Sequence, residues 1–235
     1  MNDNYRCEII VPFFNEENNF IEFTKRLEGL GSNKFTFIFV DNGSSPKSLE
    51  ETLIENQISR NPVWKITRTD DNLGYGGGII FGLQSVEAKY VSWMPGNLKV
   101  DPVTLLNHLE NTELKDNEFI KFKRVHRKVI PKSKTVIFGI ITSLIFGKLV
   151  NDVGGVPCVV STENLRKIKY SPSNFLFDVF IYLRYKNIKK IKIKRPKISY
   201  TERLHGTSHW QTNWFAEVDL IFELIKAKKI WKEYI

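Results

Sequence analysis

Four short clusters between residues 12 and 102 carry the side chains most suited to chemistry. The first is Pro12-Phe13-Phe14-Asn15-Glu16 and the second Asp41-Asn42-Gly43-Ser44-Ser45. The third runs from Asp71 and Asn72 through Gly74, Tyr75, Gly76, Gly77 and Gly78. The fourth is "WMPGNLKVDP", ending at Asp101-Pro102. Carboxylates and amides next to a glycine-rich helix start suit a phosphate-bearing ligand, because the first N–H groups of a helix lack partners within it. Each cluster also has a local structural explanation. Asn15 or Glu16 caps a helix, Asn42-Gly43 makes a turn, and the glycines satisfy backbone geometry. Two phosphate-loop patterns fail on spacing: there is no Gly-x-x-x-x-Gly-Lys-Ser/Thr run. Gly-x-Gly-x-x-Gly started at Gly74 ends on Ile79, and started at Gly76 it ends on Phe81.

The clusters sit where strands end. "CEIIVP", "FTFIFVDN", "WKITRT" and "YVSWM" are short apolar runs at regular intervals. Between them lie helical stretches at about 16–30, 48–57 and 78–88. Such alternation predicts parallel βαβ units in a Rossmann-like sheet, with ligands at the carboxyl ends of the strands. The four clusters then line one crevice.

The second half is less regular. A helix is expected over 103–110, one strand over 118–125 and a helix over 136–150. A strand over 154–162 returns to the sheet, and a buried helix spans 174–187. "IKKIKIKRPKISY" alternates lysine with isoleucine, which predicts a single half-exposed strand with a basic face over 188–200. An amphipathic helix closes the chain. The stretch 136–150 is too short for a membrane span, and contains Thr142, Ser143 and Lys148; it reads either as a packed helix or as one resting on a bilayer.

The 235 residues carry a net charge of +9, which suits phosphate-bearing ligands, anionic membranes or nucleic acid. Nucleic acid is disfavoured because the basic strand has no aromatic stacking surface. Cys7 and Cys158 have no metal-ligand spacing and read as buried thiols in a reducing compartment. The start "MNDNYRCEII" reads as a polar lead into a strand rather than a secretion signal.

"VPFFNEENN", "VDNGSS", "NLGYGGGIIFGL" and "WMPGNLKVDP", in this order and spacing, resemble glycosyltransferase family 2 with its GT-A fold. Within it the chain is most similar to the polyprenyl-phosphate mannosyl- and glucosyltransferases of the dolichyl-phosphate mannose synthase type. The resemblance covers about residues 6 to 210. It implies an α/β GT-A fold, Rossmann-like, with a mostly parallel central sheet and helices on both faces. One domain would span 1–235: a nucleotide-binding half at 1–102, an acceptor half at 103–210 and a C-terminal amphipathic helix at 211–235.

Pro12, Phe14 and Glu16 match the family motif that lines the nucleotide pocket. Asp41 matches the acid that contacts base or ribose, with Asn42 where a second acid often follows. Asn72, Gly74 and Gly76 match the loop that closes over the nucleotide; Gly78 stands where alanine is common. The family then has an Asp-x-Asp signature for Mg²⁺ or Mn²⁺. Here the aligned residues are Pro95-Gly96-Asn97, with no carboxylate. Gly96 and Asn97 remain as nucleotide contacts, and Asn97 is the one side-chain oxygen left for a metal. Either the metal is bound weakly or not at all, or catalysis is lost. Asp101 reads as a helix cap.

The departing diphosphate would then need other positive charge. Arg124 in "KFKRVHRK" and Arg203 in "YTERLHGTSHW" match basic positions near the phosphates. Arg203 with Ser208 and His209 is the expected acceptor-phosphate segment, His209 standing where the family often has lysine. Asp152 matches an acid before the returning strand and is the expected catalytic carboxylate; Asp178 reads as a buried structural acid. The implied reaction inverts the sugar, from a UDP- or GDP-sugar to a lipid phosphate, at the cytoplasmic face of a membrane. A glycan hydroxyl acceptor and a non-catalytic nucleotide-sugar-binding homologue remain as alternatives.

Overall fold

The structure is a computed structural model that describes residues 7–31, 34–126, 129–152, 154–168, 171–205 and 214–231, without the side chains of 129–134, 214–220, 230 and 231. Strand β1 (Cys7–Phe13) is buried along its whole length, the signature of a strand covered on both faces. Helix α1 (Glu17–Leu27) places Phe20, Phe23 and Leu27 on one stripe against it. Strand β2 (Phe35–Asn42) is likewise buried throughout, and a capping box at Ser48 and Glu51 starts α2 (Leu49–Glu55). Strand β3 (Trp64–Thr69), α3 (Gly74–Leu83), β4 (Tyr90–Trp93) and α4 (Pro102–Glu110) continue the alternation. Asp101 caps α4 by accepting from Thr104 N at 2.9 Å, as its position before Pro102 predicts.

The remaining elements are β5 (Glu118–Lys121), β6 (Lys123–Val125), α5 (Val129–Phe146), β7 (Cys158–Ser161) and α6 (Thr162–Arg166). After them come α7 (Leu176–Asn187), β8 (Lys192–Lys194), β9 (Lys197–Ser199) and α8 (Trp214–Trp231). The main sheet has the order β3-β2-β1-β4-β7-β5-β8, with β6 and β9 in a small second sheet. β1 pairs parallel with β2 and β4, while β7 runs antiparallel to β4 and β5. Trp93 at the end of β4 and Lys121 at the end of β5 both pair with Cys158 at the start of β7. The ends of β1, β2, β4 and β5 therefore share one edge with the segment that leads into β7.

Two apolar layers cover the sheet. On one face α1, α2 and α4 pack over Phe13, Phe37 and Phe39, whose rings meet Phe20 and Phe23 edge-on at 5.4 to 5.9 Å between centroids. On the other, α3, α6 and α7 cover Ile10, Val40, Trp93 and Phe119.

Several expected elements differ. The helix expected over 136–150 begins earlier, at Val129, and ends at Phe146 before Gly147, whose φ of 66° stops it. The strand over 118–125 is two strands, and so is the one over 188–200. Both break at the same corner. Lys123 N donates to Pro196 O at 2.7 Å, and Pro196 has no N–H with which to continue a ladder. β5 and β8 stay paired in the main sheet, while β6 and β9 turn away together. The helix expected over 78–88 begins at Gly74 and ends at Leu83. Its early end follows from buried Glu8, whose Oε2 accepts from Glu87 N at 2.5 Å and Ala88 N at 2.9 Å and turns the chain into β4. Both cysteines are free and buried.

Candidate functional site

At the shared strand edge lies a cavity of about 1130 Å³. Pro12, Phe14, Glu16, Asn42, Asn72 and Gly74 line it from the first three clusters, and Gly96 and Asn97 from the fourth. Arg124 and Arg203 line it from the second half. A sheet whose parallel strands end together brings these distant segments to one place.

Asn42 does work that its turn position did not announce. Its Nδ2 donates to Asn72 Oδ1 at 3.0 Å and to Gly74 O at 3.1 Å, and its Oδ1 accepts from Leu73 N at 3.2 Å. One buried amide thus ties the end of β2 to the start of α3. Asp41 is placed differently from the expectation and does not line the cavity. Its carboxylate accepts from Ser44 N and Leu49 N, both at 3.0 Å, and from the Arg68 guanidinium at 2.7 Å. It organises the turn into α2.

Gly76 and Gly96 are needed for close approach. A Cβ on Gly76 would lie 2.3 Å from Pro172 O, and one on Gly96 would lie 2.3 Å from the Phe13 ring. Gly76 therefore seats α3 against the chain before α7 and is not on the cavity wall. Gly96 lets its loop fold onto β1.

Asp152 stands behind the wall rather than on it. Arg124 donates to its Oδ1 through Nε at 3.0 Å and through Nη2 at 2.5 Å, and Arg195 approaches Oδ2 at 3.7 Å. Burial pushes the Asp152 carboxyl upward, but the Arg124 charge and hydrogen bonds outweigh it and hold it below its ordinary value. Arg203 donates to Glu16 Oε1 at 2.8 Å, joining the first cluster to the last segment of the cavity. Ser208 and His209 lie outside the described residues.

Sequence reasoning set Asp178 aside as structural, yet it lines the cavity. Trp93 Nε1 donates to its Oδ1 at 2.7 Å. Burial raises its carboxyl to about 6, countered in part by the Lys121 charge and the Trp93 hydrogen bond. The Tyr75 hydroxyl is buried beside it, and burial and the Asp178 charge raise its pKa. The one sequence signal for Asp178 was an acid alone in an apolar helix. Lys121 is fully buried below, donating to Gly155 O at 2.6 Å, with its pKa lowered by burial. Lys99, Tyr200 and His205, none of them singled out as site residues from the sequence, also line the cavity.

A strand-end cavity carrying these segments in this order invites comparison with known proteins, and residues 8–144 match the family model "Glycosyl transferase family 2". The chain belongs to glycosyltransferase family 2. No curated protein matches it in sequence. Solved structures of the same fold include glucosyl-3-phosphoglycerate synthase from Mycobacterium tuberculosis in complex with Mn²⁺, UDP and glucosyl-3-phosphoglycerate. That one is 12% identical with a TM-score of 0.65, over 96% of this chain and 78% of that one. The same enzyme with Mn²⁺, UDP-glucose and phosphoglyceric acid is 11% identical with a TM-score of 0.65, over the same shares. A mycobacterial protein is 11% identical with a TM-score of 0.68, over 96% of this chain and 74% of that one. The GT-A architecture of this glycosyltransferase is thus shared at very low identity.

Those complexes contain Mn²⁺, and a fit to such an ion can be tested on the donor atoms here. A hard divalent cation needs several oxygen ligands, preferably charged. Pro95 and Gly96 offer no side-chain oxygen, and Asn97 Oδ1 already accepts from Lys99 N at 3.2 Å. Glu16 is engaged by Arg203, and Asp152 by Arg124. Among the described residues no group of three or more His, Cys, Asp or Glu converges to hold a metal. The side chains present do not fit a divalent ion at this loop.

Proposed function

We propose that this glycosyltransferase moves a sugar, with inversion, from a UDP- or GDP-sugar to a polyprenyl-phosphate-type lipid at the cytoplasmic face of a membrane. The observation that carries the proposal is the two-sided lining of one cavity. Its strand-end side bears Asn72, Gly74, Arg124 and Arg203. Its other side is apolar, built by Phe138 and Ile141 of α5, Val179 of α7 and Ile221 of α8. That wall continues outward onto exposed Val136, Ile140 and Leu144 of α5 and Phe222 and Ile225 of α8. An exposed apolar face of this kind, on a chain of net charge +9, suits an anionic bilayer that carries the acceptor. Among the described residues no helix is long and apolar enough to cross a membrane.

In this reaction an oxygen of the lipid phosphate attacks the anomeric carbon from the face opposite the diphosphate. The bond from that carbon to the diphosphate oxygen breaks, and its electron pair leaves with the nucleoside diphosphate. The acceptor is already an anion, so no proton need be removed. Arg124 and Arg203 orient phosphate oxygens with planar, fixed-charge donors. Asp152 acts through Arg124 by fixing its guanidinium.

A second acceptor class is favoured by one observation, the raised carboxyl of Asp178 on the cavity wall. A hydroxyl acceptor needs a base, and a carboxyl titrating at about 6 is deprotonated and able to serve as one above that pH, at neutral pH included. The two are separated by offering a prenyl phosphate and the matching prenyl alcohol, each with UDP- and GDP-sugars, in vesicles of anionic lipid. Transfer to the phosphate alone, surviving in Asp178→Asn, is expected. Transfer to the alcohol alone, lost in Asp178→Asn, would assign the hydroxyl chemistry instead.

A further inference from the structure

A loop that occupies the place of a metal signature but cannot hold a metal raises the question of what charge meets the donor diphosphate. The loop alternates sharply. Asn97 and Lys99 line the cavity, while Leu98 and Val100 are buried in the core. Leu98 holds a φ of 55°, a conformation unfavourable for a bulky side chain and maintained here by its burial. The turn is pinned at both ends: Lys99 N donates to Asn97 Oδ1 at 3.2 Å, and Thr201 N donates to Lys99 O at 2.8 Å. The backbone that carries Lys99 is thus fixed by side chains and segments on either side of it.

The charges around the cavity differ in how far they are already used. Arg124 is held by Asp152, Arg203 by Glu16, and Glu17 faces Lys47 at 3.8 Å. Asp178 is buried under Trp93 with a raised pKa. Lys99 forms no ion pair among the described residues; its ammonium stands 5.8 Å from the centre of the Tyr200 ring. The Arg124 guanidinium lies 5.1 Å from the same ring centre. Tyr200 therefore gathers two cations at one end of the cavity, one neutralised and one not.

We propose that Lys99 takes the place of the metal, its ammonium contacting the diphosphate of the nucleotide-sugar donor. This rests on the reading of the cavity as a nucleotide-sugar site, and names the group that binds its most charged part. An ammonium is a compact charge with three donors, suited to the anionic oxygens of a diphosphate. It also meets the charge that develops on the diphosphate as the sugar leaves, with no cation taken from solution. Donor affinity then depends on Lys99 and on salt, and not on a divalent ion.

The test is calorimetry of the full chain with UDP, GDP, UMP and GMP, in EDTA and again with Mn²⁺. The wild type is expected to bind one nucleoside diphosphate in EDTA, with Mn²⁺ changing the affinity little. Lys99→Met is expected to weaken the diphosphate by about tenfold or more and the monophosphate far less, because one charge-assisted contact is lost. Lys99→Arg should recover most of the loss, which a merely structural lysine over Tyr200 would not couple to the second phosphate. Binding that requires Mn²⁺, or a Lys99→Met chain as tight as wild type, overturns the assignment of Lys99 and leaves the nucleotide-sugar reading standing. Absence of binding by either diphosphate, with and without Mn²⁺, overturns both.

Discussion

The two sides of the cavity are built by different means. On the β1–β4 side, apart from the buried Asp41 carboxylate paired with Arg68, strand ends are joined largely by backbone N–H groups and neutral amides. Asn42 links Asn72 and Gly74, Asn15 N donates to Ser44 Oγ at 3.1 Å, and Ser45 N donates to Asn15 Oδ1 at 2.9 Å. On the β5–β9 side, charges meet in the interior. Arg124 holds Asp152, Lys121 reaches Gly155 O, and Lys194 pairs with buried Glu118 at 2.7 Å. The first arrangement works by shape: small residues and amides let strands and helices approach. The second works by charge compensation, where each member depends on its partner because an uncompensated buried charge is costly.

That contrast can be broken most directly at Asp152. Asp152→Asn leaves the buried Arg124 without its full counter-charge and is expected to cost about 3 kcal/mol in urea unfolding at neutral pH. The pH dependence has a definite sign. The Asp152 carboxyl is held below its ordinary value in the folded chain, so its contribution is complete above the ordinary carboxylate range. It is lost as pH falls through the depressed folded value, and the gap between wild type and variant should close in acid. A variant as stable as wild type at neutral pH would remove the charge-compensation account of this side.

The shape account is sharpened at Gly76. Gly76→Ala drives a methyl group to within 2.3 Å of Pro172 O, and backbone there has no flexible end to yield. About 2 kcal/mol of destabilisation is expected, with no dependence on salt or pH. A salt-dependent loss would place charge on the wrong side of the comparison. The smallest effect is local to the first half. Ser48→Ala removes the side chain that accepts from Glu51 N at 3.1 Å, and thermal unfolding should report about 1 kcal/mol.

Much of the first half was legible because its signals are local. Strands β1 to β4 and helices α1, α2 and α4 follow from apolar runs, periodicity and caps within a few residues, and the Asp101 cap follows from one dipeptide. The second half was misjudged where partners lie far away. No local pattern marks Phe122 as the point where the chain changes sheets, since that depends on Pro196 meeting Lys123. The site shows the same division. Glu16, Asn72, Gly74, Asn97 and Arg124 were named from motif positions, and all line the cavity. Asp41 and Gly76 were named too, but neither lines the cavity: three neighbours occupy the one and a packed loop covers the other.

By itself the sequence determined the βαβ order, the strand edge at which the cavity lies, the family, and the absence of carboxylates at 95–97. All are properties of residue type and spacing along the chain. Only the tertiary structure decided which charges are already paired, that Asp178 rather than Asp152 faces the cavity, and that Lys99 has no ion-pair partner among the described residues. Pairing is set by distances of a few ångströms between residues scores of positions apart, and desolvation by everything packed around them.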